Sequence, residues 1–289
     1  MYTPDDIGFH ADQQLMTGTM TYFLSLVGRV VRIPALFFFA SVGLSAQIPF
    51  IDRSQPDSTG AIPPLRVLFI GNSYTFYNDM PWQLQQIAAS VGDKRAILTE
   101  RVVKGGRSLK EHWEDSLALA AIHRGGWDIV VLQEHSLGAL NAPDTMRKYM
   151  KLFCDEVKRI GAVPVLYMTW ARRHRPESQD TIAKMYTSIG REAGALVAPV
   201  GLAWQRVRRE YPALILFDPD GTHPSSEGSY LAACVFYAVF KGRCPLGADF
   251  SICIEQDDSP VHLVNMVYNE ADILQRVAWE TYLRYIYSP

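Results

Sequence analysis

From residue 65 onward the chain alternates short β-rich runs with segments of helical length, and this pattern constrains the fold more than any other feature. The runs fall at 65–70, 96–103, 128–132, 163–169 and 196–200; the helical segments fall at 80–91, 109–121, 144–160 and 180–194. A strand, a helix and a further parallel strand close as a right-handed crossover, so five such runs predict an α/β fold with a parallel sheet and helices on both faces. The run at 96–103 carries the most charge and is placed at a sheet edge. A last helix, 270–286, sets Ile273, Leu274, Val277, Ala278, Tyr282 and Leu283 at helical spacing and is expected to pack on the domain. Ligands of such sheets bind at the carboxyl ends of strands, near the point where strand order reverses, so the loops leaving each strand are where chemistry is sought.

Composition agrees with one large domain. The 289 residues, 48% of them hydrophobic and 20% charged, suffice for a core without disulfide staples and exclude disordered or collagen-like architectures. With 28 Lys+Arg against 30 Asp+Glu the net charge is -2, which argues against a nucleic-acid partner, since displacing counterions from phosphates needs a basic surface. The four cysteines form no C-x-x-C pair and no zinc-finger spacing, and the histidines show no ligand spacing, so no metal is expected. Cys154 and Cys234 lie in apolar helical patterns and read as buried thiols, whereas Cys244 and Cys253 are close enough in sequence to staple a loop in an exported chain.

Ahead of the domain, Arg29 and Arg32 precede an apolar run at 33–44, and Ser45 and Ala46 follow it, the layout of a secretory signal peptide. The run is shorter than the roughly 20 residues that span a bilayer, though residues 21–31 would extend it into a weak anchor if it stays uncleaved. Residues 1–19 are polar, which makes Met20 an alternative start. The expected organisation is a leader over 1–46, a linker over 47–64 and one catalytic domain over 65–289. The mature chain is expected to be exported, periplasmic or extracellular, with no stable membrane insertion once the leader is removed.

The first strand leads into Gly71-Asn72-Ser73, with Ser73 where a helix would begin. Three readings compete there: a helix N-cap, a nucleophile, or a phosphate cradle for a flavin or nucleotide. The last is weakened by the lack of both G-x-x-x-x-G-K-[ST] and G-x-G-x-x-G. The nucleophile gains from the far end of the chain, where Asp220 and His223 lie three apart on a turn containing Gly221. That spacing lets a carboxylate fix one imidazole nitrogen and leaves the other facing outward, as a general base for a serine hydroxyl requires. Asp218, separated from the histidine by Pro219 as well, is not expected to reach it.

These motifs resemble those of the SGNH (GDSL-type) hydrolases, in particular their carbohydrate-esterase-like members. Gly71-Asn72-Ser73 is similar to the nucleophile block and Asp220-Gly221-Thr222-His223 to the final D-x-x-H block; Gly106, before Arg107-Ser108, matches the glycine whose N–H donates to the oxyanion. The resemblance implies a flavodoxin-like three-layer α/β/α sandwich and hydrolysis of a carboxylic ester without cofactor or metal. It also implies a catalytic triad of Ser73, His223 and Asp220. One block departs from the pattern: the loop after the middle strand reads Leu132-Gln133-Glu134-His135-Ser136, without the expected Asn. Gln133 offers the same amide chemistry slightly early and His135 stands in register, so the oxyanion donors are expected to be Ser73, Gly106 and Gln133, with His135 as the alternative. Glu134 reads as a solvated or supporting carboxylate. Asn72, Trp170 and Arg172 are expected on the substrate side, Trp170 either stacking on a sugar ring or capping the sheet edge, and Arg172 or Arg173 holding a polar leaving group. The substrate expected is an O-acetylated carbohydrate; a lipid ester, a thioester or acyl transfer would use the same triad.

Overall fold

The computed structural model describes residues 61–287. The leader, the alternative start at Met20 and the linker up to residue 60 lie outside the described residues.

Five strands, β1 (Leu65–Gly71), β2 (Ile97–Val103), β3 (Ile129–Leu132), β4 (Val163–Tyr167) and β5 (Leu196–Ala198), form a parallel sheet in the order β2-β1-β3-β4-β5. Two more, β6 (Ser251–Gln256) and β7 (Ser259–Asn265), pair as an antiparallel hairpin. The helices are α1 (Ser73–Phe76), α2 (Met80–Ser90), α3 (Leu109–Glu114), α4 (Leu117–His123), α5 (Gly138–Asn141), α6 (Pro143–Arg159), α7 (Gln179–Ala193), α8 (Val200–Glu210), α9 (Ser226–Lys241) and α10 (Tyr268–Tyr287).

Side chains of a strand alternate between faces, and β1 shows the consequence. Val67 and Phe69 join the core under α2, α8, α9 and α10, while Leu68 and Ile70 join the core under α3, α4, α6 and α7. This is the α/β sandwich expected, with the charged strand β2 at an edge. Strand order reverses around β1, whose neighbours are β2 on one side and β3 on the other, and the carboxyl ends of β1 and β3 meet in register at Ile70 and Leu132. Ser73 and Gln133 follow directly from those two ends.

The structure departs from the sequence reading in several places, the β6–β7 hairpin among them. The segment 109–121 is two helices, α3 and α4, because Ser116 adopts φ +62° and the Asp115 carboxylate caps the Leu117 N–H at 3.1 Å. Two helices, α8 and α9, stand outside the strand–helix alternation read from the sequence, α9 being marked there only by the apolar helical pattern around Cys234. In α9 every residue from Gly228 to Lys241 is buried, so there is no polar face to mark a helical period. The last strand stops at Ala198, since Pro199 opens α8. All four cysteines are free thiols, Cys253 exposed on β6 and Cys244 in the loop after α9, so no staple joins them. Cys154 and Cys234 are buried. Among the described residues no helix is long and apolar enough to cross a membrane.

Candidate active site

At the end of β1 the chain turns into the one-turn helix α1, capped by Asn72, whose Oδ1 accepts the Tyr74 N–H at 3.1 Å. Gly71 is required by close approach: a Cβ there would lie 2.4 Å from Gln133 Oε1. Ser73 Oγ stands 2.9 Å from His223 Nε2, and His223 Nδ1 stands 2.5 Å from Asp220 Oδ2. The acidic turn is folded around its own carboxylate, with Asp220 Oδ1 accepting the N–H groups of Thr222 at 2.8 Å and His223 at 2.9 Å. Burial acts to raise the Asp220 carboxyl, but the His223 hydrogen bond and the two backbone donors outweigh it and hold it below its usual range. Asp218 meets the turn through its backbone, its N–H donating to His223 O and its carbonyl accepting from Gly221 N, both at 2.9 Å.

The other face of the imidazole is held by a residue that no motif marked. The Tyr77 ring stacks on His223 at 4.3 Å and 8°, and Tyr74 meets it edge-on at 5.8 Å. A second unmarked support is His112, buried on α3, whose Nε2 donates to Gly71 O at 2.8 Å.

The Ser73 hydroxyl opens onto a cleft of about 190 Å³ whose wall includes Gly106, His135, Ser136, Arg172 and Thr222. Among the described residues neither the Ser73 N–H nor the Gly106 N–H has an acceptor. Gly106 has φ +71° with nothing within 4 Å of a would-be Cβ, so its backbone angle, and not crowding, calls for glycine. His135 Nδ1 accepts the Leu137 N–H at 3.3 Å, which leaves the proton of the neutral ring on Nε2. Burial first, and then the Arg172 charge, push the His135 pKa down and favour that neutral donor.

Gln133 and Asn72 are committed to the protein's own framework, and Trp170 takes the capping alternative rather than the stacking one. Gln133 is fully buried and its amide is saturated: Oε1 accepts Asn72 N at 2.7 Å and Thr75 Oγ1 at 3.0 Å, while Nε2 donates to Asn72 Oδ1 at 2.9 Å and Glu134 O at 2.5 Å. It therefore braces the nucleophile loop and has no proton left for an oxyanion. Asn72 stands in the cleft wall, but its side chain is committed to the cap, to Gln133 and, through Nδ2, to Arg107 O at 2.8 Å. Trp170 is 1% exposed and sandwiched between Tyr74 at 4.5 Å and Trp204 at 3.9 Å, with Nε1 donating to Thr222 O at 3.0 Å. With both indole faces covered, no sugar can stack there. Arg172 lies on the cleft as expected. Glu134 is buried rather than solvated; burial raises its carboxyl to about 7, against which Oε1 accepts the His135 N–H at 2.6 Å. Among the described residues no cluster of His, Cys, Asp and Glu is placed to hold a metal.

No protein-family model matches the chain, and no curated protein matches it. Solved structures do. A Bacteroides uniformis protein of the DUF4886 family aligns over 76% of this chain and 95% of its own at 17% identity, TM-score 0.58. An acetylxylan esterase from Geobacillus stearothermophilus aligns over 60% and 93% at 17% identity, TM-score 0.50. At that identity both bear on the fold alone. A third structure, described as an SGNH hydrolase from Slackia heliotrinireducens, is 30% identical over 61% of this chain and 98% of its own, TM-score 0.53. With nearly all of that relative matched at such identity, the chain belongs to the SGNH hydrolase superfamily.

Proposed function

We propose that the protein is an exported serine esterase that removes a small acyl group, foremost acetyl, from a carbohydrate. The observation that carries the reading is the unbroken relay from Ser73 Oγ through His223 to the Asp220 carboxylate, at 2.9 and 2.5 Å. Ser73 Oγ attacks the acyl carbonyl as His223 Nε2 takes its proton, while Asp220 fixes the tautomer and stabilises the imidazolium. The oxyanion accepts from the N–H groups of Ser73 and Gly106 and from His135 Nε2–H, which takes the place expected for Gln133. Collapse expels the alcohol with the proton from His223. Water, deprotonated by the same imidazole, then releases the acid and restores Ser73.

The substrate half of the reading rests on the cleft. A space of about 190 Å³ walled by Asn72, Ser136, Arg172 and Thr222 suits a short acyl group on a hydroxyl-rich alcohol better than a long chain. Export is supported by the signal-like layout at 29–46. The test is a panel of p-nitrophenyl esters of increasing chain length and acetylated glycans, run on the purified full chain. Acetate release from the glycans and a rate that falls beyond butyrate are expected, and Ser73→Ala should abolish both. A fully active Ser73→Ala variant defeats the mechanism, whereas rates climbing with acyl length and no glycan deacetylation defeat only the substrate.

A further inference from the structure

The serine mechanism leaves one charged group of the cleft unemployed. Arg172 lies in the wall that also holds Ser73 and His223. Its Nη2 donates to Ser136 Oγ at 3.1 Å, its Nε is shut from solvent without an acceptor, and no carboxylate among the described residues pairs with it. Three other arginines withdrawn from solvent are paired with carboxylates: Arg95 meets Asp128 at 3.0 Å, Arg206 meets Glu280 at 2.7 Å, and Arg107 pairs with Asp115. Half-buried Arg208 has no carboxylate either, but it lies over the Phe217 ring with Nη2 donating to Arg173 O at 2.9 Å and is not in the cleft wall. A guanidinium drawn out of water loses hydration that a carboxylate normally restores, and at Arg172 that restoration is missing. Its charge is therefore uncancelled where substrate must sit, and its effect already reaches the adjoining imidazole of His135. The planar fork of N–H donors fits a carboxylate in particular, through two parallel hydrogen bonds.

We propose that the cleft takes an ester whose molecule also carries a carboxylate, such as the acylated form of an acidic sugar or hydroxy acid, and that Arg172 binds that carboxylate. The proposal rests on the serine esterase reading and narrows its substrate from a neutral to an acidic alcohol or acyl group.

The experiment compares acids with their methyl esters on the full chain. The 2-, 3- and 4-acetoxybenzoates against their methyl esters place the charge on the alcohol side; p-nitrophenyl hemisuccinate against its methyl ester places it on the acyl side. In at least one pair the acid should be preferred by about tenfold or more in kcat/KM, the range of a hydrogen bond to a charged group. That preference should shrink as ionic strength rises and collapse towards one in Arg172→Met, with Arg172→Lys keeping part of it as a point charge. Methyl esters that match their acids in every pair overturn the proposal, and so does a preference that survives Arg172→Met. If Arg172→Met does not fold, the wild-type ratio and its salt dependence decide. An active preparation without acid preference counts against the Arg172 subsite alone. If no ester turns over, the serine reading fails, and calorimetric binding of 4-acetoxybenzoate, strong in the wild type and lost in Arg172→Lys or Arg172→Met, still settles the subsite.

Discussion

At His223 the distinction between a structural and a working imidazole comes down to its two nitrogens. Nδ1 is held by Asp220 and Nε2 faces Ser73, so the ring has one tautomer available for accepting the serine proton. Asp220→Asn should lower kcat about 10⁴-fold through loss of that tautomer control, and Asp218→Asn should leave it within a few-fold, as steady-state kinetics on a chromogenic acetate will show. The reverse order would unseat Asp220. This assignment was open to reading in the sequence, because a three-residue turn is short enough for spacing alone to bring a carboxylate onto its own histidine. Tyr77 was not: a ring that stacks on His223 from helix-proximal backbone carries no motif, and its register depends on a partner 146 residues further along.

The ends of β1 and β3 show why residue type alone does not choose between the two candidate oxyanion donors. Residue type argued for the Gln133 amide, but the choice between Gln133 and His135 depends on which one turns under the nucleophile loop. The chain resolves it by using Gln133 to tie β3 to Asn72 and Thr75. Gln133→Ala leaves the buried Asn72 N–H unpaired and should cost about 2 kcal/mol of stability or more, visible in denaturant titration. His135→Ala should instead lower kcat about 10²-fold with little change in the unfolding midpoint. Equal stability and a large kcat loss in Gln133→Ala would return the amide to the oxyanion. The helices divide in the same way. Amphipathic α6 and α7 begin and end within one residue of the expected bounds, whereas α9 is apolar all round, so the helical pattern around Cys234 carries no polar face from which to set its bounds.

On the scale of the molecule, Glu134 makes stability depend on pH. Its carboxyl titrates at about 7 in the fold against 4.5 for the free group, chiefly because burial penalises the charge. The folded state thus holds the proton more tightly, so this contribution is full below about 4.5 and is lost as pH rises through about 7; it amounts to at most about 3 kcal/mol. His112 and His135, both with lowered pKa, pull in the opposite sense, so the informative quantity is the difference between wild type and Glu134→Gln. Melting temperatures from pH 4.5 to 8 should fall less for Glu134→Gln, and an identical profile would mean that Glu134 is ionised inside the fold.

The ring stack of Tyr74, Trp170 and Trp204 reaches from the four-residue helix behind the nucleophile to α8. A single helical turn has almost no stability of its own, so Ser73 is held in place by aromatic neighbours that leave the ribosome roughly a hundred residues after it. A nascent chain therefore carries its nucleophile long before it can use it. Its base, His223, follows 150 residues after it, so the hydroxyl has no proton acceptor of its own until that far end of the chain has been made.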